Sequence, residues 1–211
     1  PLTVTLADTP DFTRAMNSSE MEASAAVLAE LQAIDDAKAK REAAKSSLES
    51  YIYASRGQMG ELYEEVEAVS TEEQREAIST ALEETEDWLY DEGDNTSLDK
   101  YLSKDAELKA LVQPVLERVK EAAERPAAIK SARKFIVSTE ASLADWNETR
   151  PWLTDYQLQR AADALKVFTE WLEEKVAAQE AKEAHEEPAF TVAQLKGQRQ
   201  PVKLQMNMLK R

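Results

Sequence analysis

The 211-residue chain contains no cysteine, one histidine and only four glycines. The absence of cysteine removes disulfides and thiol nucleophiles, and with them any cue to the redox compartment. The one histidine, His185, lies in the charged run "EAKEAHEEPAF"; a lone imidazole without thiolates builds neither a zinc site nor a catalytic triad. Four glycines and seven prolines are too few for an all-β chain with its many tight turns. No apolar run approaches a membrane span, and residues 1–20 lack the basic start and apolar centre of a signal peptide. Basic charge is scarce too: 26 lysines and arginines face 41 aspartates and glutamates, a net charge of -15. Nucleic-acid backbones and anionic membranes repel such a surface, so neither is expected as a partner. An acidic face that meets a basic partner is compatible with it, as is an ordinary solvated surface.

Motifs that carry chemistry are missing as well. The stretch "EETEDWLYDEGDN", residues 83–95, sets a tryptophan, a leucine and a tyrosine among seven carboxylates. Residues 91–99 superficially resemble a calcium loop but have no glycine at the sixth position and no glutamate at the twelfth. Paired carboxylates for acid–base catalysis need a pocket that separates their pKa values, and nothing marks one. There is no glycine-rich phosphate loop. The chain therefore reads as non-enzymatic, with no catalytic, cofactor-binding or metal-binding residue, and as an interaction module.

What is present is helical periodicity. The opening "PLTVTLADTP" is the exception: Leu2, Val4 and Leu6 alternate until Pro10, the pattern of a short strand. Such a strand is not stable alone, so the chain reads as a piece whose N-terminal neighbour is missing. One long helix, or two in line, then follows, with Ser19 and Glu22 as a capping box and Gly57 and Gly60 as its end. Val27, Leu28, Leu31 and Ile34 repeat at three- and four-residue spacing, as do Leu48, Tyr51, Ile52 and Ser55. Between them, residues 35–45 are Ala-rich and charged, which predicts exposed middle turns in a helix bridging two packed regions. At 1.5 Å per residue it would be about 60 Å long.

A second capping box, Ser70 with Glu73, opens a helix through Ile78, Leu82, Trp88 and Leu89 that stops at Gly93. Its glutamates form the solvated face while Trp88 and Leu89 turn inward. From Ser97 another pattern runs to about Ala144, with Leu98, Tyr101, Leu102, Leu108, Leu111, Val115, Leu116 and Val119 as its apolar set. Pro114 and Pro126 should bend it. "WNETRPWLT" reads as a loop, because Pro151 disfavours helical geometry at Arg150. Thr154 and Gln157 cap the next helix, which buries Leu158, Leu165, Phe168 and Leu172. The tail "FTVAQLKGQRQPVKLQMNMLKR" is helix-like at Val192 and Leu195, with Gly197 and Pro201 against it. No internal repeat of fixed period occurs. Three sequons, at Asn17, Asn95 and Asn147, are candidate N-glycosylation sites and point to the secretory pathway.

Several of these stretches are familiar. "AKSSLESYIYASRG" resembles the Leu-Glu-x-Tyr-Ile-Tyr segment in the helical lid of the seventy-kilodalton heat-shock chaperones and their larger relatives. "ETEDWLYDEG" is similar to the glutamate-Trp-Leu-Tyr-acid-Glu-Gly stretch of the same lid. "VSTEEQREAIS", "ERPAAIKSARKFI", "WNETRPWLTDYQLQ" and "EEPAFT" resemble the endoplasmic-reticulum branch of the large family, the glucose-regulated or hypoxia up-regulated type, and most of all its plant and algal forms. "PLTV" matches the last strand of the family's substrate-binding sandwich. The resemblance covers nearly all of residues 1–190. The tail departs from it at Gly197, Pro201 and "KLQMNMLKR", and a C-terminal Lys-Asp-Glu-Leu-type signal is absent.

The resemblance implies an all-α lid: a long helix leading into an extended helical bundle, with a short N-terminal strand remnant. Its expected parts are the end of a β-sandwich and linker at 1–17, the long lid helix or helices at 18–57, a bundle at 58–186 and a C-terminal tail, helix-like in pattern, at 187–211. It also implies a chaperone of the endoplasmic reticulum lumen. Such a chaperone is a nucleotide exchange factor for the lumenal chaperone BiP and a holdase for unfolded polypeptides. ATP would belong to an N-terminal domain outside this chain. In the family, an asparagine and a glutamate three residues later, on the Leu-Glu-x-Tyr-Ile-Tyr helix, contact the partner's nucleotide-binding domain. Glu49 keeps the glutamate and Ser46 replaces the asparagine, whose amide reaches further and pairs a donor with an acceptor. Two other functions fit an acidic helical chain. A helical scaffold or coiled-coil adaptor predicts sustained heptads, and none persists past about three turns. A polypeptide-binding module without exchange activity would use Phe190, Leu204, Met206 and Leu209 as an adaptable surface.

Overall fold

The computed structural model describes residues 16–93 and 96–210. Among these the chain is wholly helical: α1 Ser18–Glu61, α2 Tyr63–Ala68, α3 Glu72–Asp91, α4 Leu98–Thr149, α5 Asp155–Glu180 and α6 Val192–Leu209. The all-α expectation holds; the strand expected at residues 2–6 lies outside the described residues.

Apolar spacing sorts these helices into two clusters. Leu48 and Ile52 of α1 meet Val66 of α2, Ile78, Leu82 and Leu89 of α3, and Tyr101, Leu108, Val112 and Val115 of α4. The second cluster joins Ala132, Ile136 and Trp146 of α4 to Leu165, Phe168 and Leu172 of α5 and to Leu195, Val202 and Met206 of α6. Helix α4 is thus the shared element, its 52 residues running through both clusters. At 1.5 Å per residue it spans about 78 Å. Pro114 and Pro126 lie inside it on exposed turns, and the helix passes both without a break. A proline on a solvent-facing turn forfeits one ladder hydrogen bond where water can replace it.

Several boundaries move from their expected places. Helix α1 is capped by Asn17, whose side chain accepts the Glu20 amide at 2.9 Å, and Glu20 answers the Asn17 amide at 2.9 Å. Ser19, the second residue of α1, therefore already lies inside the first turn. Likewise α3 is capped by Thr71 with Gln74, not by Ser70 with Glu73. The Ser70 hydroxyl instead donates to the Val66 carbonyl, closing α2. In both places two overlapping cap patterns compete, and the one that frees its cap residue for extended backbone wins. Gly57 and Gly60 do not stop α1: it continues to Glu61, and neither glycine has positive φ.

The expected loop at 146–154 is shorter. Residues 146–149 remain helical and Trp146 is buried; the loop is 150–154, opened by the non-helical geometry that Pro151 imposes on Arg150. The tail also differs. Helix α6 runs through Gly197 and Pro201, and it buries Val202, Met206 and Leu209 along with Phe190 just ahead of it. Phe190, Met206 and Leu209 are therefore core rather than an adaptable surface; only Leu204 of that group is exposed. Leu102 and Leu111 are exposed as well, while Leu158 is half-buried. At the other end, Val27, Leu28, Leu31 and Ile34 are all more than half exposed. Among the described residues α1 gains a packed face only from Ala44 onwards.

Candidate partner-binding face

The two motif-bearing stretches meet in the first cluster. On α1, Leu48, Ile52 and Ser55 are almost fully buried, so a helix with about 100° per residue must turn Ser46, Glu49 and Tyr53 the other way. Ser46 is exposed and Glu49 half-buried at the rim. Among the described residues Glu49 holds no ion pair. On α3, Leu82, Thr85 and Leu89 point inward, and Glu83, Glu84, Asp87 and Asp91 outward. The acidic cluster is thus mostly a solvated helix face. Trp88 is half-buried and lies edge-on to Tyr101, ring centroids 5.7 Å apart, with the Lys104 ammonium 5.8 Å from its own ring centre. The Tyr101 hydroxyl donates to the Gly93 carbonyl. A β-carbon at Gly93 would sit 3.3 Å from Leu89 Cδ1, so this glycine permits the close packing that ends the motif.

The α1–α3 seam has a second, outward layer. The hydroxyls of Tyr53 and Tyr90 lie 2.8 Å apart, and beside them Arg56 pairs with Glu86 at 2.6 Å. Tyr53 and Tyr90 are nevertheless 49% and 63% exposed. Hydrogen bonding to Tyr90, with some burial and nearby negative charge, pushes the Tyr53 phenol up to about 12. The hydrogen bond from Arg56 holds the Glu86 carboxyl below its ordinary range, and the same bond raises Arg56. Sequence reasoning did not find this layer. Its signal was present: Tyr53 follows Glu49 by four residues, and Tyr90 closes the Trp-Leu-Tyr run.

The sequons fall in different settings. Asn17 is the exposed cap of α1, its side-chain oxygen already accepting an amide. Asn147 is exposed on the last turn of α4, where the Thr149 hydroxyl donates to the Asp145 carbonyl at 2.8 Å. Asn95 lies outside the described residues. His185 is exposed, and among the described residues no group of His, Asp and Glu is placed to hold a metal ion. No described helix is long and apolar enough to cross a membrane. A cleft of about 1070 Å³ between α4, the end of α5 and the start of α6 is lined by lysines and glutamates without a nucleophile–base pair.

An all-helical protein with two cores on one long helix, and with those two motifs joined, is the class that the fold defines. The comparisons give the family. Residues 129–210 match the family model described as HYOU1-like, C-terminal domain. The match runs through Gly197 and Pro201, so the tail follows the family pattern after all. Heat shock 70 kDa protein 17 of Arabidopsis thaliana is 31% identical over 147 residues, 70% of this chain and 17% of that protein. The 97 kDa heat shock protein of Strongylocentrotus purpuratus is 31% identical over 163 residues, 76% of this chain and 18% of that one. Heat shock 70 kDa protein 4 of Canis lupus familiaris is 32% identical over 148 residues, 67% and 17% respectively. No solved structure matches the chain. The chain belongs to the large heat-shock chaperone family related to the seventy-kilodalton heat-shock proteins, and it spans less than a fifth of the length of these relatives.

Proposed function

We propose that this chain is the helical region of an endoplasmic-reticulum chaperone that promotes nucleotide exchange on BiP and holds unfolded polypeptides. The observation that carries the reading is the outward placement of Ser46 and Glu49 on a helix whose opposite face is locked by Leu48 and Ile52. A contact residue on a rigid, buttressed helix loses little conformational freedom when it binds. The match to the HYOU1-like C-terminal domain supports the lumenal branch, as do exposed Asn17 and Asn147. ATP belongs to the N-terminal domain expected of the full-length protein; this chain neither binds nor hydrolyses it.

Exchange then works as a population shift. A clamp that prefers the open form of the partner's nucleotide-binding domain lowers that partner's affinity for ADP, because the two affinities are linked. In the full-length protein Glu49→Lys should slow ADP release from BiP while leaving helical content and thermal midpoint nearly unchanged, since a rim charge acts mainly on association. Stopped-flow release of a fluorescent ADP analogue measures this. Equal acceleration by wild type and Glu49→Lys would reject the contact and move the holdase activity, without exchange, ahead.

A further inference from the structure

We infer that the contact face extends beyond Ser46 and Glu49 along the α1–α3 seam, as a docking surface for a basic, lysine- or arginine-bearing face of the partner protein. The inference rests on the reading that Glu49 touches the partner, and it adds where the contact runs and what chemistry it meets. Its first support is the Tyr53–Tyr90 pair. Two tyrosines about half exposed or more, yet joined at 2.8 Å and flanked by the Arg56–Glu86 bridge, form an ordered aromatic platform on the outside of the core. Tyrosine offers large contact area with few torsions to freeze, and exposed tyrosines of this kind are common binding anchors.

The second support is continuity. Ser46, Glu49, Tyr53, Gly57 and Gly60 follow one another at spacings of three, four, four and three residues, a single unbroken face of α1. Among the described residues nothing packs closely against either glycine. Both are helical without positive φ, and a β-carbon at either would meet no atom within 4 Å. Glycine weakens a helix against alanine, less so near its end. On a face that no described residue covers, their effect is to let another surface approach the α1 backbone closely.

Charge selects the occupant. Residues 61–92, which form α2, α3 and their flanks, hold thirteen carboxylates and one cation, Arg75. Most of the net charge of -15 therefore lies on these two helices and their flanks, and Glu83, Glu86, Asp87 and Asp91 fall within two turns of Tyr90 on α3. An acidic surface repels nucleic acid and anionic lipid, and phenol rings rimmed by carboxylates suit ammonium and guanidinium groups by cation–π attraction.

The test uses the full-length protein and the isolated nucleotide-binding domain of BiP, with wild type, Gly57→Gln, Gly60→Gln, Tyr53→Ala/Tyr90→Ala and Glu49→Lys compared by binding titration and thermal unfolding. The glycine variants should keep or raise the thermal midpoint, because a helix gains a side chain in open space, yet bind at least tenfold more weakly. The tyrosine pair variant should bind at least tenfold more weakly too, and wild-type affinity should fall as salt is raised. Glutamine at 57 and 60 that leaves affinity within twofold of wild type overturns the inference, even where Glu49→Lys weakens binding and the underlying reading survives. A lowered midpoint with unchanged affinity also overturns it, since the face is then covered by another part of the same protein. Absence of any wild-type binding removes the reading and the inference together.

Discussion

Tyr53 and Tyr90 show what one hydrogen bond does on an otherwise solvated surface. The bond holds the Tyr53 proton, so its phenol ionises near 12 instead of 10. Because the folded state prefers the protonated phenol, its contribution to stability is complete below pH 10 and lost as pH rises through about 12. Tyr90→Phe should bring the Tyr53 ionisation back towards 10, which ultraviolet difference titration of the tyrosines reads directly. An unchanged titration would mean that Glu86 or burial, not the Tyr90 hydroxyl, carries the shift. Residue types alone marked the inward set well here: Leu48, Ile52, Leu82 and Leu89 follow helical spacing and are buried. They could not mark Tyr53 and Tyr90, because the pair joins residues 37 apart in sequence, on two helices that periodicity does not relate.

Helices reveal which local signals hold and which yield to packing. The caps at Thr154 and Gln157 formed as their pattern predicts, the Thr154 oxygen accepting the Gln157 amide at 3.3 Å. The stop signals in the tail did not act. Gly197 and Pro201 should weaken a helix, yet Val192, Leu195, Val202, Met206 and Leu209 keep a three-and-four stripe across them, and burial of that stripe outweighs the propensity loss. The same reasoning explains α4, where Val112 and Val115 flank an exposed Pro114. A β-carbon at Gly197 would meet nothing within 4 Å, so Gly197→Ala should stabilise the protein by about 0.5–1 kcal/mol. Chemical denaturation measures it; a loss of stability would show that α6 needs the glycine for a reason other than space. The first half of α1 gives the converse case. Its stripe of Val27, Leu28, Leu31 and Ile34 was legible as amphipathic, but no described residue covers it, and a pattern of spacing cannot say what lies opposite.

At the scale of the whole molecule, the turns of α4 between its two prolines tie the cores together. Arg118 donates to the Val69 carbonyl and to Gln74 Oε1, both at 2.9 Å, holding the α2–α3 corner. One turn on, Glu121 accepts the Val192 amide at 2.9 Å, and Arg125 lies 5.7 Å from the Phe190 ring centre, holding the start of α6. Both arginines are half-buried, and that burial pulls them below their ordinary pKa values. Each core nevertheless has its own apolar residues, and among the described residues the two share only this helix. Local opening should therefore follow the cores. Arg118→Ala leaves the Val69 carbonyl and Gln74 without this donor and should cost about 1–3 kcal/mol, felt in α1, α2, α3 and the first half of α4. Phe190→Ala empties a site against Trp171, whose ring centroid lies 5.8 Å away. It should cost about 3–5 kcal/mol, felt in α5, α6 and the last half of α4. Hydrogen exchange read by mass spectrometry distinguishes the two patterns. If either substitution lowers protection equally in all six helices, the molecule opens as one unit, and α4 transmits strain between the cores instead of separating them.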